Sequence, residues 1–258
     1  MTATAEWVAT LGWRPDMSEA LIAPTYGEVL ELRRHFKLLH GSTLALDYLL
    51  ATPAPTSAQL TTWLATDENL TAYQRLISSD LGACAVCASS TAMAAIAGSD
   101  TALEGLRDID AGRTAMLNSK KAMTAVLAGY AISGKSSAVI LLESRAARAA
   151  LYDHESAWGM FVATVIGKAA LSWATLKAAA HSTSGTTHVY PPGVGIATRA
   201  VLITQQGTST AQSAAGANEN TYIASAGQAV ERYVRVKGLT HRISSGSGTS
   251  VINYIVME

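Results

Sequence analysis

The residues best suited to chemistry lie at Gly129-Tyr130-Ala131-Ile132-Ser133-Gly134-Lys135-Ser136, which fits G-x-x-x-x-G-K-[ST]. In a phosphate-binding loop of that pattern, backbone N–H groups cradle the phosphates, the lysine reaches their outer oxygens and the hydroxyl holds Mg²⁺. The chemistry needs a buried strand before the loop and a helix after it. Residues 122–128 offer a short apolar run, and 139–142 the start of a helix. No apolar strand ending in a metal-binding aspartate follows, since Ala150-Leu151-Tyr152-Asp153 is a poor version of one. A P-loop NTPase through Gly129–Ser136 is therefore a remote alternative. Cys84 and Cys87 have C-x-x-C spacing, but zinc would require two further ligands and no second pair follows. They read as small apolar residues at the start of a helical region. Asp153, His154 and Glu155 are adjacent, so on a helix they point to different sides. His35 and His40 lie five apart, and His181 and His188 seven apart, so neither pair has the i, i+4 spacing of a metal-binding helix. No catalytic group, metal or cofactor is expected.

Composition points the same way. The chain has 258 residues, 15% of them charged, against a usual ~25%. Lys plus Arg and Asp plus Glu are both 19, giving zero net charge. That disfavours a nucleic-acid binder or a polybasic membrane anchor. With aromatics at 6% and only 2 Phe, small residues dominate, and such a chain suits narrow packing between closely approaching helices. Two cysteines exclude a disulfide framework. The opening residues lack the charged and apolar regions of a secretory signal. No long uninterrupted apolar run appears, so no membrane insertion is expected.

Three segments must position whatever the chain presents. Residues 1–52 mix Trp7, Trp13, Tyr26, Phe36 and Tyr48 with a basic cluster at Arg33, Arg34 and Lys37, and read as a docking segment. Thr52-Pro53-Ala54-Pro55 breaks the chain, after which Thr56 or Ser57 can cap a new helix. Residues 53–180 are expected to be helical, with a break near 67–69. Within them Ser90-Thr91-Ala92-Met93 is echoed by Asp100-Thr101-Ala102-Leu103, Arg113-Thr114-Ala115-Met116, Lys121-Ala122-Met123 and Ser136-Ser137-Ala138-Val139. Ile96 and Leu103 lie seven apart, as do Ile109, Met116, Met123 and Tyr130, a heptad phase with a slip. Recurrent glycines predict short kinked pieces in place of one rod. A single chain would leave so thin an apolar stripe wet, so several copies around one axis are expected to bury it. Ile96, Leu103, Ile109, Met116, Met123 and Tyr130 are the candidate trimer core. From residue 181 the pattern changes to β-branched and aromatic runs separated by Gly and Ser. That predicts four to six strands in a sandwich or barrel over 181–258. Tyr190, Tyr222, Tyr233 and Tyr254 are its candidate surface contacts.

The run SSTAMAAIAGSDTALEGL, and in a more diverged way RTAMLNSKKAMTAVLAGYAISGKSSAV, resembles the "STAM" repeats of tailed-bacteriophage fibre and fibre-like appendage proteins. The end TYIASAGQAVERYVRVKGLTHRISSGSGTSVINYIVME is similar to the compact β-rich ends such proteins carry. The resemblance implies a homotrimeric virion structural protein made in the host cytoplasm. Its amino-terminal region, residues 1–52, would dock to tail, baseplate, collar or neck proteins. Its distal end would face a host cell-surface glycan or protein. Tail fibre, collar or neck appendage, and capsid decoration protein without receptor binding stay open. The fold expected is α+β: amino-terminal helical segments, an elongated trimeric coiled-coil-like stalk, and a small carboxy-terminal antiparallel β domain.

Overall fold

The structure is a computed structural model. It describes residues 33–34, 36–38, 42–173, 178–181, 187–190, 199–207, 211–216, 221–225, 229–236, 239–245 and 250–257. The chain divides into two compact units, Met1–Ile166 and Gly167–Glu258. Helices build the first and antiparallel strands most of the second, an α+β protein.

The first unit enters through α1 (Leu44–Leu49), α2 (Ser57–Trp63) and α3 (Asp67–Ile77). Thr56 caps α2 reciprocally: its hydroxyl accepts from the Gln59 N–H, while the Gln59 side chain accepts from the Thr56 N–H. Thr66 caps α3, so the break expected near 67–69 is a helix start. The Tyr48 and Trp63 rings stack at 4.4 Å, fastening α1 to α2.

From Asp80 onward one device is repeated. The helices are α4 (Asp80–Ala88), α5 (Ser90–Ala97), α6 (Asp100–Asp108), α7 (Asp110–Asn118), α8 (Lys120–Val126), α9 (Ser137–Glu143), α10 (Arg145–Asp153), α11 (Glu155–Ala163) and α12 (Val165–Leu171). Two short strands, β1 (Ala131–Ile132) and β2 (Lys135–Ser136), stand between α8 and α9. The first five of these helices begin ten residues apart, and so do the last three. Ser89, Ile109, Ser119, Ser144 and His154 each end one helix and begin the next as a single residue of extended backbone. One extended residue cannot continue a helix, and at Ser89 the chain turns through 95°. At every one of these corners but Ile109 the same residue's side chain then accepts from an orphan N–H of the helix it opens. Ser79, Ser89, Ser119, Ser136 and Ser144 accept from the amides of Gly82, Ala92, Ala122, Val139 and Ala147 at 3.1–3.4 Å.

Counting from the capping residue, and leaving aside α9, where Val139 and Glu143 stand at the third and seventh places, the third position is small: Gly82, Ala92, Ala102, Gly112, Ala122, Ala147 and Ala157. The seventh is apolar and fully buried: Val86, Ile96, Leu106, Met116, Val126, Leu151 and Phe161. Each helix packs on the one three places along, α2 on α5, α3 on α6, and so on to α8 on α11. Three short helices therefore make one turn of a solenoid, in which each turn buries the apolar face of the turn before. Side chains tie successive turns to backbone carbonyls. Tyr73 Oη donates to the Ala102 carbonyl at 2.7 Å, Ser119 Oγ to Cys87 at 2.7 Å, Lys121 Nζ to Ala88 at 3.0 Å and Arg107 Nη1 to Ile140 at 2.9 Å.

This arrangement corrects the heptad reading. Positions four and seven of a ten-residue repeat are alternately three and seven residues apart. Ile96 and Met116 occupy position seven of their repeats, and Leu103 and Met123 position four of the next. The seven-residue spacings are thus an alias of the ten-residue one. All four side chains are fully buried within a single chain, so sister copies are not needed to cover them. Ile109 is a half-buried corner residue between α6 and α7, and Tyr130 lies outside the repeat, 36% exposed. The helices are seven to nine residues long, joined by corners, and form no continuous coiled-coil seam.

Ser119 carries both a cap and an inter-turn bond, and is buried. Ser119→Ala will cost about 1–3 kcal/mol, because the Cys87 carbonyl loses its donor inside the protein. Ser89→Ala, at a half-buried corner where the side chain caps α5, will cost about 1 kcal/mol or less. Chemical denaturation of the two variants measures the difference.

The second unit holds β3 (Ala178–His181), β4 (Thr187–Tyr190), β5 (Ala200–Gly207), β6 (Ala211–Gly216), β7 (Thr221–Ser225), β8 (Ala229–Val236), β9 (Leu239–Ser245) and β10 (Ser250–Val256). They form two four-stranded antiparallel sheets, β3-β10-β5-β8 and β4-β9-β6-β7. The pairs β3–β10, β4–β9, β5–β8 and β6–β7 are those of one long hairpin whose tip lies between β6 and β7. Wrapping that hairpin brings β10 beside β5 and β9 beside β6. This is the strand order of an eight-stranded jelly roll. The carboxy-terminal antiparallel domain is present with more strands than expected. The division read at residues 180 and 181 falls inside β3.

Candidate functional site

Gly129–Ser136 is not a phosphate cradle. Strands β1 and β2 pair as a hairpin, with Ile132 opposite Lys135. The two residues between them, Ser133 and Gly134, have φ of 48° and 81°, the left-handed conformations of a two-residue hairpin turn. Lys135 Nζ lies 2.5 Å from Glu143 Oε1, which raises the ammonium pKa. The Ser136 hydroxyl caps α9, and Ser133 Oγ donates to Asp100 Oδ2 at 2.5 Å. Lysine and both hydroxyls are thus engaged in holding the hairpin against α6 and α9. The hairpin is an insertion at the corner between α8 and α9, where neighbouring corners use one residue.

Cys84 and Cys87 lie on α4, Cys87 buried and Cys84 partly so. Burial pushes the Cys84 thiol up to about 11 and the Cys87 thiol higher still. Thiolate is the species that binds zinc or attacks an electrophile, so both remain inert thiols at neutral pH. Among the described residues no group of three His, Cys, Asp or Glu side chains could hold a metal. Ellman's reagent at pH 8 will find both thiols unreactive in the folded chain and both reactive in denaturant.

His154 is the cap of α11. Its Nδ1 accepts from the Ala157 N–H at 3.2 Å, which makes Nε2 the protonated nitrogen, donating to Asn118 Oδ1 at 2.8 Å. Asp153 and Glu155 flank it on different helices, so the three do not converge. His181 and His188 fall on strands β3 and β4. His35 and His40 lie outside the described residues.

Most of the docking segment 1–52 also lies outside them. Arg33 Nε is 2.5 Å from Asp47 Oδ1, so one member of the basic cluster is bound within the chain. A cleft of about 400 Å³ opens between Phe36, Leu44 and Ala45 on one side and Asp67, Thr71 and Arg75 of α3 on the other. Leu38 is 78% exposed.

The four tip tyrosines separate. Tyr254 is buried and therefore a packing residue, its hydroxyl pKa raised by burial. Tyr190 ends β4, paired with Leu239, and Tyr222 lies in β7 opposite Ala214; their side chains lie outside the described residues. Tyr233 is half-buried and has φ 47°. Its hydroxyl lies 3.5 Å from Ser172 Oγ, and Lys168 Nζ lies 5.5 Å from its ring centre. Sequence reasoning singled out Tyr233 but missed Lys168 and Ser172, which come from α12 and the residue after it, some sixty positions away.

No family model matches the chain, and no curated protein matches its sequence.

Proposed function

We propose that the chain is a structural component of a tailed-phage virion, a fibre or fibre-like appendage of the tail, collar or neck. In this reading residues 1–52 dock to the particle and the jelly-roll unit is presented for host-surface attachment. The observation that supports it is the pairing, in one chain, of a solenoid bearing the STAM sequence with a closed two-sheet β unit. The solenoid adds length by repeating one helix and one corner. The jelly roll leaves few free strand edges and presents its loops. Assembly as a homotrimer is part of the proposal and rests on the resemblance, since the chain covers its own helical core.

Light scattering on the eluting peak of a size-exclusion column should give three times the 26.9 kDa chain mass. A peak at the single-chain mass overturns the trimer. Gold-labelled antibody against the protein should decorate an appendage of intact particles. Label spread over the capsid shell would replace the fibre with a capsid decoration protein, and unlabelled particles would remove the virion assignment.

A further inference from the structure

We infer that Lys168, Ser172 and Tyr233 form a subsite for a carboxylate-bearing saccharide in the β unit. The inference deepens the attachment reading by naming the ligand class.

The backbone singles out this place. Tyr233 is one of two non-glycine residues with positive φ among those described, and the other, Ser133, sits in a hairpin turn that requires it. A bulky aromatic residue in the left-handed region is strained, because its Cβ crowds the backbone. Both ladders beside β5 slip at the same level. On one side Leu202 pairs with Val234 and Thr204 with Glu231, so Arg232 and Tyr233 together face Ile203. On the other, Asn253 pairs with Thr204 and Tyr254 with Leu202, leaving Ile203 without a partner on β10. Such bulges re-aim a side chain out of the strand's alternation, and strain of this kind gathers where a side chain must be held for function.

The strain holds the Tyr233 hydroxyl beside the Ser172 hydroxyl and the ring beneath the Lys168 ammonium. Lys168 has no carboxylate partner among the described residues. A half-buried lysine whose ammonium lies over a ring keeps most of its capacity for an anion. The two hydroxyls both donate and accept, which suits the hydroxyl groups of a sugar. One cation, two hydroxyls and aromatic surface match a sugar acid better than a bare anion or a neutral sugar.

The test is titration calorimetry of the full chain with a trigalacturonate, with neutral galactotriose and free acetate as the other arms. Trigalacturonate should bind in the millimolar range or tighter, with both controls at least tenfold weaker. Lys168→Met should weaken the acidic sugar at least tenfold, and Tyr233→Phe, which keeps the ring, three- to tenfold. Circular dichroism checks that both variants stay folded. Equal binding of galactotriose or acetate, no binding of trigalacturonate, or indifference to Lys168→Met overturns the subsite. Those outcomes are independent of the particle labelling and the solution mass, so failure here leaves the virion assignment to its own test.

Discussion

Met116→Ala and Met123→Ala are each expected to destabilise the full chain by about 2–5 kcal/mol, and by the same amount across a hundredfold range of protein concentration. Both side chains are fully buried within one chain. Truncating a buried methionine removes transfer free energy and leaves a cavity that the surroundings fill only in part. Met116 sits at position seven of its repeat on α7, which packs on α4 and α10. Met123 sits at position four on α8, which packs on α5 and α11. Their neighbours therefore come from earlier and later turns of the same solenoid. Had the two residues instead formed a seam between copies, their loss would weaken association, and the effect would grow from near zero where copies are apart to its full size where they are associated. Urea denaturation at several concentrations separates the two cases. A ΔΔG that rises with concentration would place Met116 and Met123 at an interface and undo the solenoid description.

Much of the repeat was legible in the sequence, but its period was not. The capping residues and the small-then-apolar pattern stand in plain view from Ser89 to Met123. Three features hide the spacing of ten. Ile109 and His154 occupy capping positions where serine is the rule. The hairpin at Ala131–Ser136 interrupts the count, and the next two caps, Ser136 and Ser144, are only eight apart. Arg113 and Arg148 fall at position four, where Met93, Leu103 and Met123 stand in other repeats. The arginines have their own reason. Arg113 Nη1 reaches the carbonyls of Arg107 and Asp108 at 3.2 and 3.4 Å, and Arg148 Nη1 those of Leu142 and Glu143 at 2.7 and 3.3 Å. Each donates to the unpaired end of the helix before it, where a cation is favoured. In the β unit, β5, β7, β8 and β10 announce themselves by β-branched and aromatic residues. β3 reads Ala-Ala-Ala-His and β6 Ala-Gln-Ser-Ala-Ala-Gly, which carry no such signal. They are strands because β10 on one side, and β7 and β9 on the other, offer ladders to complete. The Lys168–Ser172–Tyr233 cluster was hidden for a similar reason, since it depends on a bulge and on a contact across some sixty residues.

Gly82→Ala is expected to destabilise the protein by about 3 kcal/mol, at the upper end for overpacking, although alanine favours a helix interior by about 1 kcal/mol over glycine. Gly82 is the third residue after the Ser79 cap. A Cβ there would lie 2.3 Å from the Leu76 carbonyl oxygen and 2.7 Å from Leu76 Cδ1. The first of these is backbone, so relief requires α3 and α4 to separate, and Leu76 and Ile77 are fully buried at that junction. Gly112 holds the same slot after Ile109, where an added Cβ would lie 2.8 Å from the Leu106 carbonyl oxygen and 3.0 Å from Leu106 Cδ1. Gly112→Ala should therefore lose less, about 1–2 kcal/mol. Ala92, Ala102, Ala122, Ala147 and Ala157 show that the same slot accepts a methyl at other corners. Gly134→Ala is the control: nothing lies within 4 Å of its Cβ, but φ is 81°, so its cost of about 1 kcal/mol is conformational alone. Thermal and urea unfolding of the three variants should rank Gly82 above Gly112 above Gly134. If Gly82→Ala proves neutral or stabilising, helix propensity outweighs contact at that corner, and the close approach of α3 to α4 is wrong.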